Sequence, residues 1–258
     1  PTVPVSPNIF LNAIMTFLAA VIAGFVAVLL LELLDISVRS QADVEEKARL
    51  PFLGAVPKFP KLHQYAQRKA YRFILENPRS PVAECIRTLT TTLQFLLKSD
   101  NSHVLLITSA QPLEGKTMTS INIAVTLALS GKRVALLEAD MRRPTIFKAL
   151  KVQAENGLSA VIEGTAKLKD VLKQTEVPGL QLIPCGTIPQ NPAELFQTDG
   201  FAKLLADLKA QFDAIIIDSP LLEGVNAPIL DVALNDMTEN RSSYGGYYYY
   251  HKAYKTDQ

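Results

Sequence analysis

The stretch SAQPLEGKTMTS, residues 109–120, decides the reading of this chain. A short apolar run at 104–108 precedes it, and it leads into an apolar-faced segment, 116–130, closed by Gly131. Gly115, Lys116 and Thr117 match the end of the phosphate-loop pattern G-x-x-x-x-G-K-[ST], with Ala110 where the first glycine usually stands. A strand followed by a helix that starts inside the motif aims backbone N–H groups and the helix dipole at phosphate oxygens. Glu114, Gly115, Lys116, Thr117 and Met118 then form a nucleotide-binding loop. Lys116 reaches the β- and γ-phosphates, and the Thr117 hydroxyl ligates Mg2+. The alternative is a plain βα turn with a surface lysine; the motifs around it weigh against that.

Further strands are expected at 133–139, 180–184 and 214–218, and a helix at 81–97, where Val82, Ile86, Leu89, Leu93 and Leu96 recur at helical spacing. Strands alternating with helices predict an α/β fold, a doubly wound, mainly parallel sheet of P-loop NTPase type. FDAIIIDSP, 212–220, reads as a buried strand that presents Asp218 to a metal's water shell, with a helix cap as the competing reading. The second strand ends ALLEADMRRP, which brings Glu138, Asp140 and Arg142 to the same carboxyl edge of the sheet. Carboxylates beside bound phosphate repel it unless a metal or a proton-accepting role compensates.

Composition is ordinary: 258 residues, 48% hydrophobic, 20% charged, net charge +1. Disordered, collagen-like and strongly basic nucleic-acid-coating proteins are excluded, so no nucleic-acid partner is expected. Charge is unevenly placed, however. All 26 Lys and Arg and all 25 Asp and Glu fall after Leu31. Residues 9–34 exceed the roughly 20 apolar residues that cross a bilayer. A transmembrane helix is expected there, with a buried core helix as the alternative. No basic n-region precedes it and the chain begins at Pro1, so more protein is expected upstream. Residues 1–8 carry no Lys or Arg, whereas 58–72 carry five and no acid. The positive-inside rule puts the C-terminal side in the cytoplasm. The basic window suits an anionic leaflet or is a solvated connector. Cys85 and Cys185 are expected to be reduced core thiols. Six of eight tyrosines, Tyr244, Tyr247, Tyr248, Tyr249, Tyr250 and Tyr254, crowd a tail without apolar periodicity, which is expected to be disordered.

Taken together, SAQPLEGKT, EADMRRP, GLSAVIEG, IPCGTIPQNPAELF, IIIDSP and the tyrosine tail resemble the bacterial tyrosine kinases fused to a polysaccharide co-polymerase anchor. SPN at 6–8, the apolar span and LPFLGAVP at 50–57 are similar to that anchor's second span and exit linker. The resemblance implies an ATP-dependent protein-tyrosine autokinase of the bacterial inner membrane that phosphorylates its own tyrosine tail in trans and regulates capsular or extracellular polysaccharide assembly. It implies ATP and Mg2+ as cofactors and a ring-forming homo-oligomer, with an octamer as the candidate size. Implied partners are a polysaccharide polymerase, outer-membrane export machinery and a tyrosine phosphatase. Carried over by position, Gly115, Lys116 and Thr117 bind phosphate and metal, Asp140 and Asp218 support the metal, and Glu138 is the general base, although the family usually has Asp there. Glu84 and Arg87 match the family's subunit-contact pattern E-x-x-R-x-x-R, with Thr90 in place of its last arginine.

The expected organisation is an anchor at 1–34, a linker at 35–79, a kinase domain at 80–236 and a tail at 237–258. Only 25 residues separate Asp218 from Tyr244, so a segment after about 233 is expected to be absent. Two other functions fit parts of the pattern. A partitioning-type ATPase explains the phosphate loop but not the tail, and its usual early lysine is missing at Gln111 and Pro112. A co-polymerase module with an inactive kinase half would fit a shortened adenine side.

Overall fold

The strand Ala214–Asp218 (β6) is AIIID, and all five of its residues are buried; that is the composition of a central strand covered on both faces. The computed structural model describes residues 9–34, 40–57, 74, 75, 77–96, 102–109, 111, 114–220 and 232–237. In chain order the elements are α1 (Ile9–Leu34), α2 (Gln41–Asp43), β1 (Phe52–Pro57), α3 (Pro81–Leu96), β2 (His103–Ile107), α4 (Lys116–Leu129), β3 (Val134–Glu138), α5 (Ile146–Ala149), α6 (Leu158–Ile162), α7 (Leu168–Val171), β4 (Lys173–Gln174), β5 (Leu180–Ile183), α8 (Pro192–Leu195), α9 (Asp199–Lys209), β6 (Ala214–Asp218) and β7 (Val232–Met237). Helix α2 runs on into a π-helical turn, Val44–Ala48.

The main sheet has the order β2-β6-β3-β5-β4. Its strands are parallel except β4, which pairs antiparallel with β5. This is the mainly parallel α/β sheet predicted from the alternating pattern. Side-chain alternation divides its cover into two layers. Val134, Leu136, Ala214 and Ile216 pack with α3, α4 and α5. Ala135, Leu137, Ile215 and Ile217 pack with α6 and α9 on the other face. Burying each such branched side chain stabilises the fold by about 1.5–3 kcal/mol, so the two layers hold the strand ends in fixed register. That register sets Asp218 level with both Ile107 and Glu138, at the carboxyl edge where ligands bind in open parallel sheets.

A second, two-stranded sheet pairs β1 with β7 in parallel. The sequence reading took 50–57 as an extended linker piece; the structure makes it a strand. Val56 and Ile74 enter the same core as α3 and α4, so the layer reaches back into the stretch read as linker. Contacts divide the chain into a unit ending at Arg39 and a unit starting at Ser40.

Helix α1 is its own unit's main element. It has 26 residues, about 39 Å at 1.5 Å per residue, which exceeds a hydrocarbon core of roughly 30 Å. Apart from Asn12, Thr16 and Glu32 its side chains are apolar or small, and none of its residues is buried by protein, so it is long and apolar enough to cross a membrane. The basic window at 58–72, the tyrosine tail and most of the stretch after Asp218 lie outside the described residues.

Candidate active site

Gly115 opens the site. It takes φ +86° just ahead of α4, a left-handed turn that L side chains avoid. A Cβ there would also stand 2.0 Å from Asn235 Nδ2 of β7, so a larger residue would have both to strain the backbone and to displace that amide. The turn delivers Lys116 and Thr117 as the first two residues of α4, where N–H groups lack helical partners. Asn235 Nδ2 donates to the Glu114 carbonyl at 2.8 Å and so fastens β7 to the loop.

Lys116 Nζ donates to Asp140 Oδ2 at 2.5 Å, and both side chains are 13% exposed. Asp140 Oδ1 accepts the Arg143 N–H at 3.3 Å. Thr117 Oγ1 donates to Asp218 Oδ2 at 2.9 Å, and Ser120 Oγ lies 2.9 Å from Asp218 Oδ1. Asp218 is 1% exposed, and burial pushes its carboxyl above the ordinary carboxylate range. The Lys116 charge and the Thr117 and Ser120 hydroxyls work in the opposite direction. Lysine, hydroxyls and two carboxylates thus meet over the carboxyl ends of β6 and β3.

The donors suit a hard cation: a threonine hydroxyl and carboxylate oxygens, with no sulfur or imidazole among them. Among the described residues no three His, Cys, Asp or Glu side chains form a cation cage. Mg2+ is bound through one or two carboxylates, water and substrate phosphate rather than in an all-protein cage.

Glu138 stands apart from this cluster. The resemblance gives it the role of general base at the phosphate site. It is 0% exposed, with Oε1 accepting the Ile146 N–H at 2.5 Å and Oε2 the Cys185 N–H at 3.2 Å. Burial raises its pKa, against the lowering effect of N–H groups of Cys185, Ile146, Phe147 and Thr145. Both of its oxygens are thus taken by backbone donors. Cys185 is a buried free thiol pushed up to about 11 by burial and by the charges of Glu138 and Asp140.

On α3, Arg87 pairs with Glu84 and also donates to the Pro78 carbonyl within the same chain. Thr90 is 3% exposed and donates to the Ile86 carbonyl at 2.7 Å; it belongs to the interior of the subunit. Gln111 N–H donates to Glu114 Oε2 at 3.1 Å, while Ala110 and Pro112 lie outside the described residues. Two site residues escaped the sequence reading. Ser120 was findable, because it lies three residues after Thr117 on one helix face. Asn235 carries no such signal, since only the β1–β7 pairing brings it to the loop.

The fold and this cluster define a class, the P-loop nucleotide-binding domains, and residues 102–235 match the family described as AAA domain. The chain is 29% identical over 235 residues to the tyrosine-protein kinase ptk of Acinetobacter johnsonii, covering 89% of this chain and 32% of that protein. Among solved structures, the BceF tyrosine kinase domain superposes with TM-score 0.64 at 33% identity, over 72% of this chain and 77% of that one. The kinase domain of Escherichia coli tyrosine kinase ETK gives 0.67 at 28% identity, over 73% and 75%. The chain belongs to the bacterial tyrosine kinase family. It spans about a third of the length of the curated relatives it matches.

Proposed function

We propose that this chain is the membrane-anchored catalytic part of an ATP-dependent tyrosine autokinase acting in capsular or extracellular polysaccharide polymerisation and export. The observation that carries the reading is the convergence of Lys116, Asp140, Thr117 and Asp218 at the carboxyl edge of the sheet. Thr117 and Asp218, with Asp140 beside them, would hold Mg2+. The ion supplies charge neutralisation of the transferred phosphoryl oxygens when bound.

Before nucleotide arrives, Asp140 holds Lys116 in place. Phosphate competes for that ammonium, and Lys116 turns to the β- and γ-phosphate oxygens, which releases Asp140. A tyrosine hydroxyl oxygen then bonds to the γ-phosphorus, the bond to the β–γ bridging oxygen breaks, and ADP leaves. Asp140 accepts the hydroxyl proton; unlike Asp218 it is not sealed under the sheet edge. Positioning and charge stabilisation supply most of the catalysis in such a loose transition state.

The acceptors are Tyr244, Tyr247, Tyr248, Tyr249, Tyr250 and Tyr254 of a neighbouring subunit. Each phosphate adds about −1.5 to −2 charges, so a charged tail drives subunits apart. Glu84 and Arg87, both exposed on α3, offer the ring contact. Helix α1 anchors the assembly in the inner membrane with the kinase domain in the cytoplasm. The polysaccharide polymerase, export machinery and a tail-directed phosphatase are the expected partners. Purified protein incubated with MgATP is expected to gain tail phosphotyrosine that Lys116→Met abolishes. Phosphate release without phosphotyrosine, or an unchanged signal in Lys116→Met, overturns the proposal.

A further inference from the structure

We infer that Glu138 is a positioning residue, a buried carboxylate clamp that holds the Asp140 loop in its working geometry. The inference rests on the kinase reading for its activity arm. Glu138 ends β3, and its two oxygens take N–H groups from two other elements, Ile146 at the start of α5 and Cys185 just past β5. Between β3 and α5 runs the loop that carries Asp140.

Each end of that loop is pinned. Ala139 N–H donates to the Asp218 carbonyl at 2.9 Å, and Ile146 N–H is held by Glu138. Inside it, Met141 is buried and Asp140 Oδ1 takes the Arg143 N–H. A loop tied this way has little freedom, so Asp140 is kept within 2.5 Å of Lys116. The Cys185 bond extends the clamp across the sheet. Leu158 N–H donates to the Pro184 carbonyl at 2.7 Å and Ser159 Oγ to the Thr187 carbonyl at 2.7 Å, which docks α6 on the same segment. One carboxylate thus joins β3, α5 and the β5–α6 junction.

Side-chain length is decisive. Aspartate lacks the methylene that lets one carboxylate reach both donors. Glutamine keeps the length and one acceptor oxygen, and loses the bond where its NH2 faces an N–H. A general base gives the reverse order, since glutamine cannot take a proton and aspartate can. The clamp therefore predicts that Glu138→Gln keeps more autophosphorylation than Glu138→Asp, losing about tenfold for the one carboxylate bond that its NH2 cannot accept. Glu138→Asp should lose on the order of 10²-fold in kcat, with KM for ATP much less affected, because Asp140 is misplaced while the phosphate loop is intact. Glu138→Asp outperforming Glu138→Gln overturns the inference.

Amide hydrogen exchange on the unaltered full chain tests the clamp without any variant. The Ile146 and Cys185 amides should exchange as slowly as those of β3 and β5; exchange at the rate of open loops overturns it. Absence of phosphotyrosine in the parent protein would count against the kinase reading and leave the exchange result to judge the clamp.

Discussion

Replacing Gly115 with alanine tests how the phosphate loop is fastened to β7. The residue sits at φ +86°, which costs a side chain with a Cβ about 1–2 kcal/mol. The new Cβ would stand 2.0 Å from Asn235 Nδ2, too close to be absorbed, so the Asn235 amide must swing away. It then gives up its 2.8 Å bond to the Glu114 carbonyl, worth about 0.5–1.5 kcal/mol. Gly115→Ala is thus expected to cost about 1.5–3.5 kcal/mol. At about 2–4 °C per kcal/mol for a unit of this size, Tm should fall by roughly 3–14 °C. In an Asn235→Ala background the contact is already gone, and the same change should cost only the backbone part, about 1–2 kcal/mol. The double-mutant cycle therefore carries a coupling of about 0.5–1.5 kcal/mol, read from thermal or urea melts followed by circular dichroism. Equal costs in the two backgrounds would refute the reasoning, because they would mean that Asn235 does not touch the loop.

Further outcomes follow from the same geometry. Asp218→Asn should abolish Mg2+-dependent nucleotide binding while raising Tm at pH 7 by a few degrees, because it removes a buried charge at a functional site; calorimetry and melting curves check the two effects together. Cys185, with its thiol pushed up to about 11, should resist aromatic disulfide reagents at pH 8 until the protein is unfolded. Arg133 donates to Asp213 through its side chain at 2.7 Å and its backbone N–H at 2.8 Å, and these bonds hold the Asp213 carboxyl down at about 2. Because the folded pKa lies below the unfolded value of 3.8, the contribution is complete above that pH and is lost as pH falls through about 2. Asp213→Asn should accordingly move the onset of acid unfolding upward, by a small amount as befits an exposed pair. Asn122 is 1% exposed on α4 with its Oδ1 unpartnered, so Asn122→Leu should raise Tm rather than lower it.

The order of elements was legible because the strands are short apolar runs bounded by glycine, lysine and acidic residues, and the helices show their own spacing. β6 spans Ala214–Asp218, the stretch read from FDAIIIDSP, and α4 spans Lys116–Leu129, one residue short of the expected end. The phosphate loop was legible for the same reason: its residues act together within one strand-turn-helix unit. The β1–β7 pairing was not, since it joins residues nearly two hundred positions apart and neither segment has a strong alternation of its own. Thr90 shows the limit from another side. Spacing puts it in line with Glu84 and Arg87, but the packing of α3 places it in the core and leaves the other two outside.

The sequence by itself determined which chemistry could occur at the edge of the sheet. A lysine and a threonine in the loop, an aspartate ending β6, and one acid ending β3 with another two residues on are local facts, carried by motif and hydrophobic period. Tertiary structure decided which of those acids does what. Asp140 meets Lys116, Asp218 meets Thr117 and Ser120, and Glu138 turns inward to the N–H groups of Ile146 and Cys185. A carboxylate goes where donors are, and the donors come from α4, α5 and the end of β5, elements whose positions are set by the two packed faces of the sheet.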